Sequence, residues 1–272
     1  MTTNRQFSLA LQALTELKAD MSTPLSSGSP SAGAVPSLSA VLAEIGPMPA
    51  EALLLGIASD GLPVLLNLHD PYPGPMLITG DAGSGKTAFL QTMVHSLAQT
   101  HKAEDIRFGV ITNYPDEWES LTKLPHHAGV FAVGHRSAQE FIHSLTTWAH
   151  SNREARQYML LLVDDLESVA SLDLQAVQDF RWLLLRGPAR RVWPIVTLSA
   201  SRYGQVISWL QNFRTRIFGH IANGRVAEAL GGSTASGLAQ LEPRLQFSLP
   251  ETIVPRALGG KEKWLRFWLP GC

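Results

Sequence analysis

Beyond residue 50 the chain alternates between short apolar runs and longer amphipathic stretches. Leu53–Ile57 and Pro63–Leu68 flank the turn pair Asp60-Gly61, the pattern of a β-hairpin. Met76–Thr79 reads as a buried strand. A helix is predicted over Lys86–Gln99, with Phe89, Leu90, Met93, Val94 and Leu97 on one side. Arg107–Thr112 and Val130–Val133 predict further strands. Ser137-Ala138-Gln139-Glu140 reads as a capping box opening a helix whose apolar face is Phe141, Ile142, Leu145 and Trp148. Met159–Val163 is a continuous apolar strand, Leu174–Leu185 a helix and Pro194–Leu198 another strand. Strand and helix alternate, which predicts an α/β fold: a mostly parallel sheet with helices on both faces, preceded by the β-hairpin.

The first fifty residues are patterned differently. Within 1–20, Phe7, Leu11, Leu14 and Leu17 recur at the spacing of one helix face, predicting an amphipathic helix. Residues 21–37 are rich in Ser, Pro and Gly and read as a flexible linker. Residues 38–272 read as the main domain, opening with a short helix over Leu38–Ile45 that Gly46-Pro47 stops.

Composition narrows the class. Hydrophobic residues make up 45% and charged residues 17% of the 272, an ordinary globular balance that excludes a disordered chain. A formal net charge of −1 leaves no global basic field to hold nucleic acid, though a ring needs only a few positive loops facing its substrate. Cys272 is the single cysteine, so no internal disulfide forms and a reducing, cytoplasmic setting is expected. No apolar run is long enough to span a bilayer, and no signal-peptide pattern opens the sequence.

The chemistry concentrates at two strand ends. Gly80-Asp81-Ala82-Gly83-Ser84-Gly85-Lys86-Thr87 follows the strand Met76–Thr79 and opens a helix, the context a phosphate-binding loop requires. Gly83 and Gly85 let consecutive N–H groups face phosphates, and the helix adds its positive end. Lys86 is expected to bridge the β- and γ-phosphates of a nucleotide, and the Thr87 hydroxyl to coordinate Mg²⁺. The strand Met159–Val163 ends in Asp164-Asp165: Asp164 is expected to orient Mg²⁺ and Asp165 to polarise the attacking water. Glu167 lies two residues further on and is the weaker base candidate. A hydrolytic ring also needs a cation at the transition state, commonly an arginine from the neighbouring subunit; of Arg186, Arg190, Arg191, Arg214 and Arg216, the candidates chosen are Arg216 and Arg191. No guanine-reading Asn-Lys-x-Asp motif is present, so ATP is the expected nucleotide. His126-His127 has no companions at metal-ligand spacing and reads as ordinary loop histidines.

These residues resemble the FtsK/HerA group of motor ATPases. Gly56-Ile57, Gly61-Leu62-Pro63-Val64 and Gly74-Pro75-Met76-Leu77-Ile78-Thr79-Gly80 are similar to that group's lead-in hairpin and P-loop strand. Arg190-Arg191-Val192-Trp193-Pro194-Ile195 is similar to the approach to its sensor strand, and Asn212-Phe213-Arg214-Thr215-Arg216-Ile217 to its "N-I-P-T-R-I" segment. The resemblance implies a RecA-like P-loop NTPase core working as a hexamer that hydrolyses ATP with Mg²⁺. Members of the group translocate double-stranded DNA or serve as conjugation and secretion ATPases. The implied function is therefore a motor moving double-stranded DNA. The alternatives are a same-fold ATPase for protein secretion or assembly, with the N-terminal arm docking on a protein partner, and a weakly hydrolytic nucleotide-binding scaffold. Two departures bear on this choice. Ile111-Thr112-Asn113-Tyr114 stands where the group often has Asp-Pro-Lys. Thr197-Leu198-Ser199-Ala200-Ser201 places Ala200 at the sensor glutamine, with Ser199 or Ser201 as possible substitutes.

Overall fold

The computed structural model describes residues 35–152, 156–233, 236–251 and 263–271. The predicted amphipathic helix and residues 21–34 of the predicted linker lie outside them. Ten strands form one sheet in the order β2-β1-β10-β9-β8-β3-β7-β6-β4-β5. They are β1 (Ala52–Ala58), β2 (Pro63–Asn67), β3 (Met76–Gly80), β4 (Ile106–Thr112), β5 (His127–Ala132), β6 (Tyr158–Asp164), β7 (Val192–Ser199), β8 (Thr215–Phe218), β9 (Gln246–Glu251) and β10 (Lys263–Trp268).

From β8 to β5 every pairing is parallel. β3 and β6 are buried along their whole length, so their sequences read as unbroken apolar runs. Alternate side chains go to opposite faces. Met76, Ile78, Leu160, Leu162 and Ile195 meet Phe89, Met93 and Leu97 of the helix Lys86–Thr100. Leu77, Leu161, Val163 and Val196 meet Ile142 and Leu145 of the helix Arg136–Ser151 and Phe180 and Leu183 of the helix Leu174–Arg186. The two helix layers follow directly from the period-2 alternation of buried strands.

The helix Arg136–Ser151 starts earlier than the Ser137 capping box predicts. His135 is the N-cap, its Nδ1 accepting from the Ser137 N–H, while Glu140 pairs with Arg136 at 2.9 Å. A ring nitrogen does the work expected of the serine hydroxyl.

The remaining four strands are antiparallel. The hairpin β1–β2 turns at Asp60-Gly61, where Asp60 Oδ1 accepts from the Leu62 N–H at 3.1 Å and Gly61 has φ 84°. It does not stand apart from the core. β1 pairs with β10, and β10 with β9, joining the hairpin to the parallel set through the single pair Phe218↔Ser248. Gly56 permits this close approach, because a Cβ there would lie 2.5 Å from the Trp268 carbonyl oxygen and from the Phe267 ring.

Pro36 and Ser37, the last residues of the predicted linker, are tied to the domain. The Gly271 N–H donates to Pro36 O at 3.0 Å and the Leu38 N–H to Gly271 O at 2.7 Å. Ser37 Oγ then accepts from Ala40 N–H and caps the helix Leu38–Ile45.

Candidate nucleotide site

All six parallel strands point their carboxyl ends to one edge, where ligands bind in open α/β sheets. β3 runs there into the loop Gly80–Thr87. Gly83 and Gly85 have φ 76° and 94°, a left-handed conformation that glycine adopts without a Cβ penalty. Lys86 Nζ donates to the carbonyls of Gly80 (3.1 Å) and Asp81 (3.0 Å). Burial lowers the Lys86 pKa, opposed by the charges of Asp165, Asp164, Asp81 and Glu167 in that order. The Asp81 carboxylate accepts from Ala222 N–H at 2.8 Å, tying the loop to the segment after β8. Ser84 Oγ is buried without a hydrogen-bond partner.

The P-loop helix and β7 converge on one carboxylate at the end of β6. Thr87 Oγ1 donates to Asp164 Oδ2 at 3.0 Å, and Thr197 Oγ1 of β7 donates to Asp164 Oδ1 at 2.8 Å. The Thr197 hydroxyl also accepts from Asp165 N–H at 2.9 Å. Burial raises the Asp164 pKa above the usual carboxylate range, and the two threonine hydroxyls pull it partly back. Asp165 takes φ 86° and ψ 102°, unusual for a side chain with a Cβ. Such backbone costs about 1–3 kcal/mol and persists where surrounding bonds over-determine it. Here the Asp165 N–H anchored on Thr197 supplies that bond. Lys86, Thr87, Asp164 and Asp165 therefore lie together at this edge.

Other candidates fall elsewhere. Arg216 gives Nη1 to Leu230 O and Nη2 to Leu210 O, both at 2.7 Å, so its fork is spent on its own backbone. Burial lowers its pKa. Arg191 precedes β7, a strand length away from the P-loop edge. Its guanidinium lies 4.8 Å over the Tyr158 ring, and its Nη1 donates to Arg156 O. Ala200 is buried in the apolar core, whereas Ser199 sits opposite Gly80 in register and its Oγ lies 3.3 Å from Ser201 Oγ. Glu167 stays near the site: its charge acts on Lys86, and Arg202 pairs with it. The helical turn that begins at Leu166 folds Glu167 back instead of carrying it away.

Thr197 is the member the motif reading passed over. Its signal is a hydroxyl inside an otherwise apolar, fully buried run, Val192–Leu198. His126 is a core residue, its Nε2 sharing a hydrogen bond with His101 O at 2.9 Å. Among the described residues no group of three or more His, Cys, Asp or Glu could hold a metal ion by itself, and no helix is long and apolar enough to cross a membrane.

Residues 52–181, which carry the P-loop and both acids, match the model of the FtsK/SpoIIIE family. That segment, under half of the chain, is what is similar to the FtsK/SpoIIIE family. Solved structures share the fold. EssC (ATPases 2 and 3) from Geobacillus thermodenitrificans superposes with a TM-score of 0.67 at 14% identity, over 90% of this chain and 48% of that one. Thermomonospora curvata EccC (ATPases 2 and 3), in complex with a signal sequence peptide, gives 0.64 at 14% identity over 85% and 42%. The pCW3 conjugation coupling protein TcpA with ATPγS gives 0.59 at 13% identity over 81% and 66%. The chain thus spans less than half the length of the EccC and EssC chains. No curated protein matches it in sequence.

Proposed function

We propose that this chain is a motor ATPase that binds and hydrolyses Mg-ATP. The observation that carries the proposal is the hydrogen-bonded chain Thr87–Asp164–Thr197, with the Asp165 backbone anchored to its far end. It gathers on one edge the groups that phosphoryl transfer to water requires.

The residues fit a magnesium ion. Thr87 Oγ1 and Asp164 Oδ2 are oxygen donors 3.0 Å apart, which suits a hard cation held by one protein hydroxyl and waters bonded to a carboxylate. When bound, Mg²⁺ supplies charge neutralisation between the phosphates. The backbone of Gly83–Thr87 would cradle those phosphates. Lys86 would exchange its two carbonyl bonds for phosphate oxygens. Asp165, free of side-chain hydrogen bonds among the described residues, would orient the attacking water. The conformation of its backbone serves that aim.

In this proposal the chain assembles as a hexamer, and hydrolysis moves double-stranded DNA. The family match and the fold shared with a conjugation coupling protein support that choice of substrate. A protein substrate is the second reading. It is favoured by a charge balance of 22 basic to 23 acidic residues and by the fold shared with a peptide-bound EccC.

Steady-state ATP hydrolysis with and without linear duplex DNA tests both. Turnover that rises with DNA, falls steeply with added salt and vanishes in Lys86→Ala supports the DNA motor. Turnover indifferent to DNA removes the DNA reading and leaves the protein one. Binding of ATP with no turnover would sink the motor proposal and leave a nucleotide-binding scaffold. Mass photometry with and without ATP checks the hexamer.

A further inference from the structure

The P-loop is surrounded by negative charge: Asp81, Asp164, Asp165 and Glu167 all act on Lys86. Beyond the Mg²⁺ of the proposed reaction, the P-loop itself sets only one half-buried lysine and a helix end against a polyphosphate entering there. Arg202 is occupied by Glu167, Arg216 by two carbonyls, and Arg191 lies at the opposite edge.

Arg244 is placed differently. The loop before β9 is closed on itself: Leu245 and Gln246 N–H donate to Glu242 O, and Glu242 N–H donates to Gln246 Oε1. Its tip presses on the P-loop. Arg244 N–H donates to Ser84 O at 3.0 Å, and a Cβ placed on Gly85 would lie 2.6 Å from Arg244 Cα. Arg244 holds φ 69°, a left-handed conformation that strains any residue with a Cβ. Its side chain is exposed, and among the described residues its guanidinium has neither an ion pair nor a hydrogen bond. A strained backbone that lands a free cation beside the first residues of the P-loop helix is an arrangement with a use.

We infer that Arg244 is a second cationic ligand of the nucleotide, its guanidinium fork engaging the phosphate chain from the same subunit. This rests on the nucleotide-binding reading above. The fork matches phosphate oxygens two at a time and stays charged at any working pH.

The test is equilibrium binding of fluorescent Mg-ATPγS to wild type, Arg244→Gly, Arg244→Lys and Lys86→Ala, with thermal melts of each. Glycine adopts φ 69° without strain, so Arg244→Gly keeps or raises the melting temperature. Its affinity should nevertheless fall about tenfold or more, the worth of one charged hydrogen-bond pair. Arg244→Lys should recover part of the loss. Displacement by magnesium tripolyphosphate should weaken to the same degree, because the contact is to phosphate. Wild-type affinity in Arg244→Gly overturns the inference. So does a loss seen with ATPγS but not with tripolyphosphate, which would move the contact to base or ribose. Wild type that binds no ATPγS fails the P-loop reading itself, and is recognised without any Arg244 variant.

Discussion

The two halves of the sheet carry different loads. In the parallel half, β8 to β5, the inner strands β3 and β6 are buried on both faces, and the strand carboxyl ends lead into the P-loop and hold both acids. The antiparallel half, β9, β10, β1 and β2, holds none of the acids, yet it grips the P-loop helix from the side. Phe247 of β9 and Phe267 of β10 meet Phe89 edge-on, at 4.8 and 6.0 Å between ring centroids. Arg244, at the tip of the loop entering β9, touches Gly85. The acids and the P-loop thus belong to one half, the aromatic brace and Arg244 to the other, with the helix Lys86–Thr100 as their shared member.

That division is open to attack on both sides. Asp165→Asn strikes the parallel half alone. It should lower turnover by about 10²–10⁴-fold with ATPγS affinity changed only a few-fold, measured by steady-state hydrolysis beside equilibrium binding. Phe247→Ala strikes the brace. It should cost about 3–5 kcal/mol in urea unfolding, because a fully buried ring is lost from a three-ring cluster. Nucleotide affinity should fall with it under conditions where the variant is folded. Unchanged affinity would break the claim that the antiparallel half braces the site.

Gly85→Ala lies on the seam. The left-handed φ costs about 1–2 kcal/mol for alanine, and the added Cβ meets Arg244 backbone, so the loop must shift and ATPγS binding should be lost. The smallest effect has the opposite sign. Burial raises the Asp164 pKa, so the folded state keeps this proton longer than the unfolded chain. Its contribution to stability is present below the ordinary carboxylate range and is lost as pH rises through the folded value. Asp164→Asn removes that cost. Nucleotide-free protein at neutral pH should melt at a higher temperature, with the gain shrinking as pH falls into the ordinary carboxylate range. Mg-dependent nucleotide binding should be lost in the same variant.

The parts that could be read from sequence are those encoded locally. The strand, glycine loop and helix around Lys86 occupy consecutive residues, and Asp164-Asp165 ends an apolar run that only a buried strand explains. β1 and β2 were legible for the same reason, having a turn pair between two apolar runs. β9 and β10 were not: Gln246, Ser248 and Pro250 interrupt the first, and their pairing spans residues 252–262. Thr197 hides because threonine is an ordinary strand former, and only the register shows its hydroxyl on Asp164. Arg244 hides more deeply. A left-handed residue in a turn calls for glycine or asparagine, and nothing in Pro243-Arg244-Leu245 announces one. Arg216 and Arg191 are engaged within their own chain by backbone carbonyls and an aromatic face, contacts that no local pattern announces.

The bridge between Ser37 and Gly271 has a mechanical side. Residues 36 and 271 are bonded backbone to backbone, three residues beyond the end of β10, so the path into the domain and the path out of it meet at one point. Tension delivered along the preceding segment would enter there, at the strands of the antiparallel half. It would be shared by two backbone hydrogen bonds before reaching the sheet.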